Sequence, residues 1–281
     1  MPQEQINGYR MHYEVYGEGQ PLVMIHGGLG GGEGCRDMVE HHASRLEDRF
    51  RLIFYDRRSA GRSETPSDGY DLENQVQDLR SLLNHLGVTQ THVLGSSGGG
   101  PMAMGLALDY PGMVHSLLLI NTMSYASENA RQARRDELDG LLSNEATLGR
   151  EAAVEKALEA RQPTLRSDDP LRFRRLRDIN IERFDGMTMS IRAYLDIGDR
   201  LESRLGELTM PTMIVHGDAD SIIPVTCAIE LHQAIDRSEL HIVPGAGHGL
   251  MTNESNRMGN LIHEFVEESA ASTRSTIGAD S

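Results

Sequence analysis

The chain has 281 residues, 38% of them apolar and 25% charged. That length fits one large domain carrying an insertion, with a core that needs no disulfide or metal staple. Its 27 basic and 42 acidic residues leave a formal charge of −15, which argues against a nucleic-acid groove or an anionic membrane surface as partner.

The opening is polar. MPQEQINGYR is no signal peptide, and no apolar run approaches the ~18 residues of a membrane span, so the expected compartment is the cytoplasm. Tyr9, Met11, Tyr13 and Val15 then alternate with polar residues before the turn Gly-Glu-Gly-Gln-Pro, as in an antiparallel strand or hairpin at a sheet edge. Short runs that are apolar on successive residues follow: Pro21–Ile25, Arg51–Tyr55, His92–Leu94, Leu117–Ile120, Thr212–Val215 and Leu240–Val243. Such runs suit parallel strands covered on both faces. Between them lie helical patterns. In Asn74–Leu86, Val76, Leu79, Leu82, Leu83 and Leu86 fall at helical spacing, and Gly87 stands where a helix terminates. Strand alternating with helix predicts an α/β fold with a mostly parallel sheet.

The alternation breaks between the fourth of these runs and the fifth. Residues 124–206 hold no strand run and read as an all-helical insertion, with loops at Gln162–Pro163 and Ser167–Pro170. The expected organisation is a core over 1–123 and 207–270, a helical cap over 124–206, and a frayed, disordered tail over 271–281, where the residues are small and polar.

The cysteines and lysines narrow the chemistry. Cys35 and Cys227 lie far apart and read as isolated thiols. Twelve histidines form no close metal-ligand grouping. The only lysine, Lys156, sits in REAAVEKALEAR, so no glycine loop carries the lysine of a Walker-type phosphate site. No metal and no cofactor are expected, and the chemistry is assigned to side chains alone.

THVLGSSGGG, residues 91–100, places Gly95-Ser96-Ser97-Gly98-Gly99 between a strand and a helix, which fits the nucleophile pattern G-x-S-x-G with Ser97 at its centre. Side chains two before and two after the nucleophile would clash in so tight a turn. The Gly98 amide, at a helix N-terminus, would face a developing oxyanion. A base is supplied best by His248, which follows the final strand in IVPGAGHGL. His26 and His216 suit structural or loop-orienting roles. One of Asp218 and Asp220, in HGDAD after Thr212–Val215, would orient the imidazole. The position one strand earlier, where some such proteins carry the acid, holds Asn121. In HGGLGGGEG, residues 26–34, backbone amides can turn inward, giving a second oxyanion donor from Gly28 or Leu29.

Together these segments resemble the α/β-hydrolase superfamily over roughly residues 6–122 and 207–268. DRRSAGRS, residues 56–63, looks like that family's D-x-R-G-x-G-x-S loop, with Ser59 in place of the first glycine. The resemblance implies Ser97 as nucleophile, His248 as base, Asp220 as acid and the amides of Gly28 and Gly98 as oxyanion hole. Within the family the chain resembles capped esterases and lactonases. It also resembles proline iminopeptidases, which read HGGPG, DQRGxGxS and GGSWG where this chain has HGGLG, DRRSAGRS and GSSGG. The expected activity is hydrolysis of a small carboxylic ester or lactone; an aminopeptidase, a cofactor-free oxygenase and a ligand sensor are the alternatives. The expected partner is that small molecule alone, with self-association into a homo-oligomer left open. The arginines of Leu171–Arg177 are expected on a solvated face paired with nearby acids, the alternative being that one reaches a substrate carboxylate.

Overall fold

The computed structural model describes residues 3–28, 30–124, 128–197 and 200–277. Eight strands, β1 (Gln3–Ile6), β2 (Tyr9–Tyr16), β3 (Gln20–Ile25), β4 (Phe50–Tyr55), β5 (Thr91–Ser96), β6 (Val114–Ile120), β7 (Thr212–Gly217) and β8 (Ser238–Val243), form one sheet in the order β1-β2-β4-β3-β5-β6-β7-β8. From β4 to β8 every pairing is parallel, while β1–β2 and β2–β4 are antiparallel. Each apolar run of the sequence lies within one of these strands.

Successive residues of the central strands feed opposite faces. Val23, Ile53, Val93 and Leu117 join one core cluster, and Leu22, Leu52, Leu94 and Leu118 the other. Two-sided burial is why these strands read as unbroken apolar runs. The β1–β2 hairpin turns through Asn7 and Gly8, both at positive φ (46° and 84°), as a two-residue hairpin on a twisted sheet requires. The alternation expected along β2 fails at its end. Val15 is 38% exposed and Glu14 is buried, because His12 and Arg62 hold the Glu14 carboxylate inside at 3.2 and 2.5 Å.

Helices α1 (Arg36–Leu46), α2 (Leu72–His85) and α3 (Gly100–Asp109) connect the strands of the first half. The second helix begins two residues before the expected segment start at Asn74, where the Asp71 carboxylate caps it by accepting from the Asn74 N–H. Between β6 and β7 the described residues form helices and no strand: α4 (Glu128–Leu148), α5 (Arg150–Arg161), α6 (Leu165–Asp168), α7 (Pro170–Glu182) and α8 (Phe184–Asp196), then a 3₁₀ segment at Glu202–Glu207. The loop expected at Ser167–Pro170 shrinks to Asp169, whose side chain caps α7 by accepting from the Arg172 N–H at 2.9 Å. Three further helices complete the fold: α9 (Thr226–Ala234), α10 (Leu250–Asn253) and α11 (Ser255–Ile277). The last of these continues past residue 270 into the stretch expected to fray; residues 278–281 lie outside the described ones. Among the described residues no helix is long and apolar enough to cross a membrane, and both cysteines are free and buried.

Candidate active site

Ser97 stands where β5 turns into α3, at φ +50° in the left-handed region that few non-glycine residues adopt. The turn is held by close packing. A Cβ on Gly95 would lie 2.7 Å from the Gly99 carbonyl oxygen, and one on Gly99 would lie 2.5 Å from that of Ile25. Glycine at both positions is therefore steric necessity, as the sequence pattern implied.

The structure brings Ser97, His248 and Asp220 together from three strand ends. His248, in the loop between β8 and α10, has its Nε2 2.9 Å from Ser97 Oγ. Its Nδ1 lies 2.7 Å from Asp220 Oδ2. The other oxygen of Asp220 accepts from the N–H groups of Ile222 and Ile223 at 2.8 and 2.9 Å. Burial pushes the Asp220 pKa up. Its hydrogen bond and ion pairing with His248, together with the two amides, outweigh that and hold it below the ordinary carboxylate value. A carboxylate at Nδ1 fixes the tautomer whose Nε2 accepts from the serine.

Asp218, the other candidate acid, is exposed and accepts from the Gly245 N–H at 2.6 Å, bracing the ends of β7 and β8. His216 is fully buried and donates through Nε2 to the Ile223 carbonyl at 2.9 Å, beneath the Asp220 turn. Desolvation depresses its pKa and favours the neutral ring. His26 is likewise buried, its pKa pushed down to about 4 by desolvation, and it orients the loop that follows β3. Asn121, directly after β6, bonds backbone groups rather than the imidazole. It donates to the carbonyls of Gly247 and His248 at 3.1 and 2.8 Å and accepts from the Gly217 N–H at 3.0 Å, tying the histidine loop to β7.

The glycine loop lies against the serine. A Cβ on Gly27 would sit 3.5 Å from Ser97 Oγ, and one on Gly98 would sit 2.3 Å from the Gly28 carbonyl oxygen. Gly28 and Gly98 are thus neighbours beside Ser97, with Gly28 at φ +88°. Leu29 lies outside the described residues. The rest of the glycine run has a role that the sequence did not signal: Gly32 N–H donates to Asn180 Oδ1 at 2.8 Å, and Gly30 packs beneath Ser190 and the Met187 backbone. The loop thereby seats α7 and α8.

In front of Ser97 and His248 opens a cavity of about 880 Å³, walled by Met123, Leu141, Ala153, Ala157, Ile222 and Ile223 and reaching Arg134, Lys156 and Arg161 on α4 and α5. The arginines of Leu171–Arg177 do not line it. Arg172 pairs with Asp37 and Arg175 with Glu33, at 2.5 and 3.0 Å, joining α7 to the start of α1, and Arg177 pairs with Asp178 at 2.8 Å.

A mostly parallel eight-stranded sheet, with a serine at a strand-to-helix elbow and a histidine and an aspartate at later strand ends, is the architecture of an α/β hydrolase. The family described as "alpha/beta hydrolase fold" matches residues 20–254; the chain belongs to this family and is a hydrolase of that type. Among its relatives, a "Putative carbamate hydrolase RutD" from Variovorax paradoxus is 28% identical over 265 residues, covering 93% of this chain and 97% of that one. A proline iminopeptidase from Lactobacillus acidophilus is 36% identical over 135 residues, under half of either chain. The enol-lactonase from Burkholderia xenovorans superposes with a TM-score of 0.78 at 22% identity, covering 95% of this chain and all of that one.

Proposed function

We propose that the protein is a serine hydrolase of a small carboxylic ester or lactone, working through an acyl-enzyme on Ser97. One observation carries this reading: the unbroken hydrogen-bonded chain from Ser97 through His248 to Asp220 beside two glycine amides. His248 Nε2 takes the Ser97 proton as Oγ attacks the substrate carbonyl. The oxyanion that forms is received by the N–H groups of Gly28 and Gly98. His248 then delivers that proton to the leaving oxygen, and the acyl-enzyme remains. Water, deprotonated by the same Nε2, attacks the acyl carbon, and Ser97 leaves with its proton restored.

The helical insertion acts as a cap that shapes the substrate. The cavity of about 880 Å³ lies within the range that encloses a drug-sized ligand. Its apolar wall near Ser97 suits an alkyl or aryl acyl group. The name of the enol-lactonase relative agrees with an ester-type bond, and that of the carbamate hydrolase with an acyl carbon bearing a heteroatom.

Labelling by a fluorophosphonate probe, followed by turnover of p-nitrophenyl esters of increasing chain length and of a prolyl arylamide, tests the reading. Ser97→Ala is the control. Expected are labelling that disappears in the mutant, ester turnover exceeding arylamide turnover, and a loss of turnover on the order of 10⁴-fold or more in Ser97→Ala. Equal activity in the mutant overturns the mechanism, and preference for the prolyl arylamide replaces the ester reading with the aminopeptidase one.

A further inference from the structure

Arg57, the second residue of DRRSAGRS, is 4% exposed. Its neighbour Arg58 is buried against the Asp78 carboxylate at 2.7 Å. Among the described residues no carboxylate forms an ion pair with Arg57. Burying a guanidinium is costly unless its donors are met; here backbone carbonyls and the Tyr194 hydroxyl meet Nη1 and Nη2, while Nε has no partner among the described residues. Nη2 donates to the carbonyls of Gly27 and Gly28 at 3.1 and 2.5 Å. Nη1 donates to the Tyr194 hydroxyl at 2.7 Å and to the Gly98 carbonyl at 3.4 Å. The Tyr194 hydroxyl in turn donates to that same Gly98 carbonyl. Gly27 receives a second donor, His26 Nδ1–H at 2.6 Å. The His26 ring is oriented for this because its Nε2 accepts from the backbone N–H of Arg57 at 3.1 Å.

A trans peptide carries its C=O and N–H on opposite edges of one rigid plane. Holding the Gly27 carbonyl toward Arg57 therefore directs the Gly28 N–H away from it. Thr122 does the same for the other donor: its hydroxyl donates to the Ser97 carbonyl at 2.6 Å, and the N–H of that peptide belongs to Gly98. Both amides beside the serine are thus fixed from behind, but only one of the two holds is a full positive charge. A guanidinium on a carbonyl polarises the whole peptide and strengthens the N–H at its far edge as a donor. In a water-poor site its field also adds where negative charge develops.

We propose that Arg57 is the positioning residue of the oxyanion hole, aiming and polarising the Gly27–Gly28 peptide, and that Tyr194 on α8 joins the helical insertion to this assembly. The role rests on the serine-hydrolase reading of Ser97. It acts on the transition state and leaves ground-state ester binding nearly unchanged.

The experiment compares the parent protein with Arg57→Gln and Tyr194→Phe, each checked for fold by circular dichroism. It reads kcat and KM on the best p-nitrophenyl ester, and affinity for a boronic acid that forms a tetrahedral adduct on Ser97. Arg57→Gln should lower kcat about 10²- to 10³-fold, the scale seen for loss of one oxyanion donor. KM should move by less than about threefold, and boronate affinity should fall in step with kcat. Tyr194→Phe should shift the same quantities in the same direction by about tenfold, and it carries the test if Arg57→Gln does not fold. Folded variants with unchanged kcat and boronate affinity, or with a loss confined to KM, overturn the role of Arg57. A parent protein that neither labels nor turns over any acyl substrate overturns the serine-hydrolase function itself, and the role of Arg57 with it.

Discussion

Asp220 divides its two oxygens between two tasks. Oδ1 accepts from the Ile222 and Ile223 amides, and Oδ2 faces His248 Nδ1. Replacing it with asparagine preserves the first task and reverses the second. With the side-chain oxygen kept on the two amides, the new NH₂ group faces Nδ1 and demands an acceptor there, so the proton moves to Nε2. An Nε2 that carries a proton cannot take one from Ser97. Asp220→Asn should therefore lower kcat about 10⁴-fold while the thermal midpoint shifts by only a few degrees. Steady-state kinetics within about tenfold of the parent would show that Asp220 is not the orienting acid. Ser97 and His248 were legible in the sequence because each sits in a distinctive small-residue setting directly after an apolar strand run; the residues left Asp218 and Asp220 both open, and the family resemblance chose Asp220. Arg57, Thr122, Tyr194 and Asn121 were not legible in these roles. Each works by hydrogen bonds to backbone carbonyls far away in sequence, such as Asn121 to His248 and Thr122 to Ser97, and no local pattern encodes such a contact.

Backbone packs closely against Gly95 and Gly99 of the elbow, and that limits which substitutions these glycines accept. A Cβ at Gly99 would lie 2.5 Å from the Ile25 carbonyl oxygen and 2.8 Å from that of His26, both backbone atoms at the end of β3. Neither can give way as a flexible side-chain tip would, so α3 or the loop carrying Gly27 and Gly28 must shift. Gly99→Ala should destabilise the fold by about 3 kcal/mol, a severe overpacking cost, and lower turnover in the fraction that remains folded. Gly112→Ala, where a Cβ meets nothing within 4 Å, should stay within about 0.5 kcal/mol of the parent. Denaturant midpoints check both, and equal midpoints for the two variants would show that the elbow can relax. The strands were legible because burial on both faces leaves continuous apolar runs. Helix ends were less so, since α2 and α7 start where Asp71 and Asp169 cap them rather than where the expected segments begin. The arginines of α7 fall on a face that pairs in part with acids of another segment, Glu33 and Asp37. Periodicity marks such a face as polar without saying what lies opposite.

Across the whole molecule, a set of buried histidines couples stability to pH. His26, His42 and His92 are each at most 4% exposed, and desolvation pushes each pKa from 6.5 down to about 4. His42 is held through Nε2 to the Met251 carbonyl at 2.6 Å, and His92 lies between Ser116 and Gln20. At His42 and His92 no carboxylate among the described residues favours the charged form, and at His26 desolvation outweighs the pull of Asp56. Between about pH 4 and 6.5 the unfolded chain therefore binds up to three protons that the folded chain refuses. The stability these rings contribute is complete above about pH 6.5 and is lost as pH falls toward 4. At about 1.4 kcal/mol per pH unit for each proton, the three together contribute a limiting slope of about 4 kcal/mol per unit, and buried His216, also lowered by desolvation, adds to it. Asp220 and Glu14, whose pKa values are lowered, extend the loss to more acidic pH. Asp37 and Asp78, raised by desolvation, oppose it at the acid end of the window. Urea unfolding at intervals from pH 8 to 4.5 should show a plateau and then a steep decline below about pH 6.5. His92→Gln, which keeps a polar side chain but cannot titrate, should lower the slope by about 1.4 kcal/mol per pH unit. Equal unfolding free energies at pH 5 and pH 7.5 would show that the three rings titrate alike in the folded and unfolded chains.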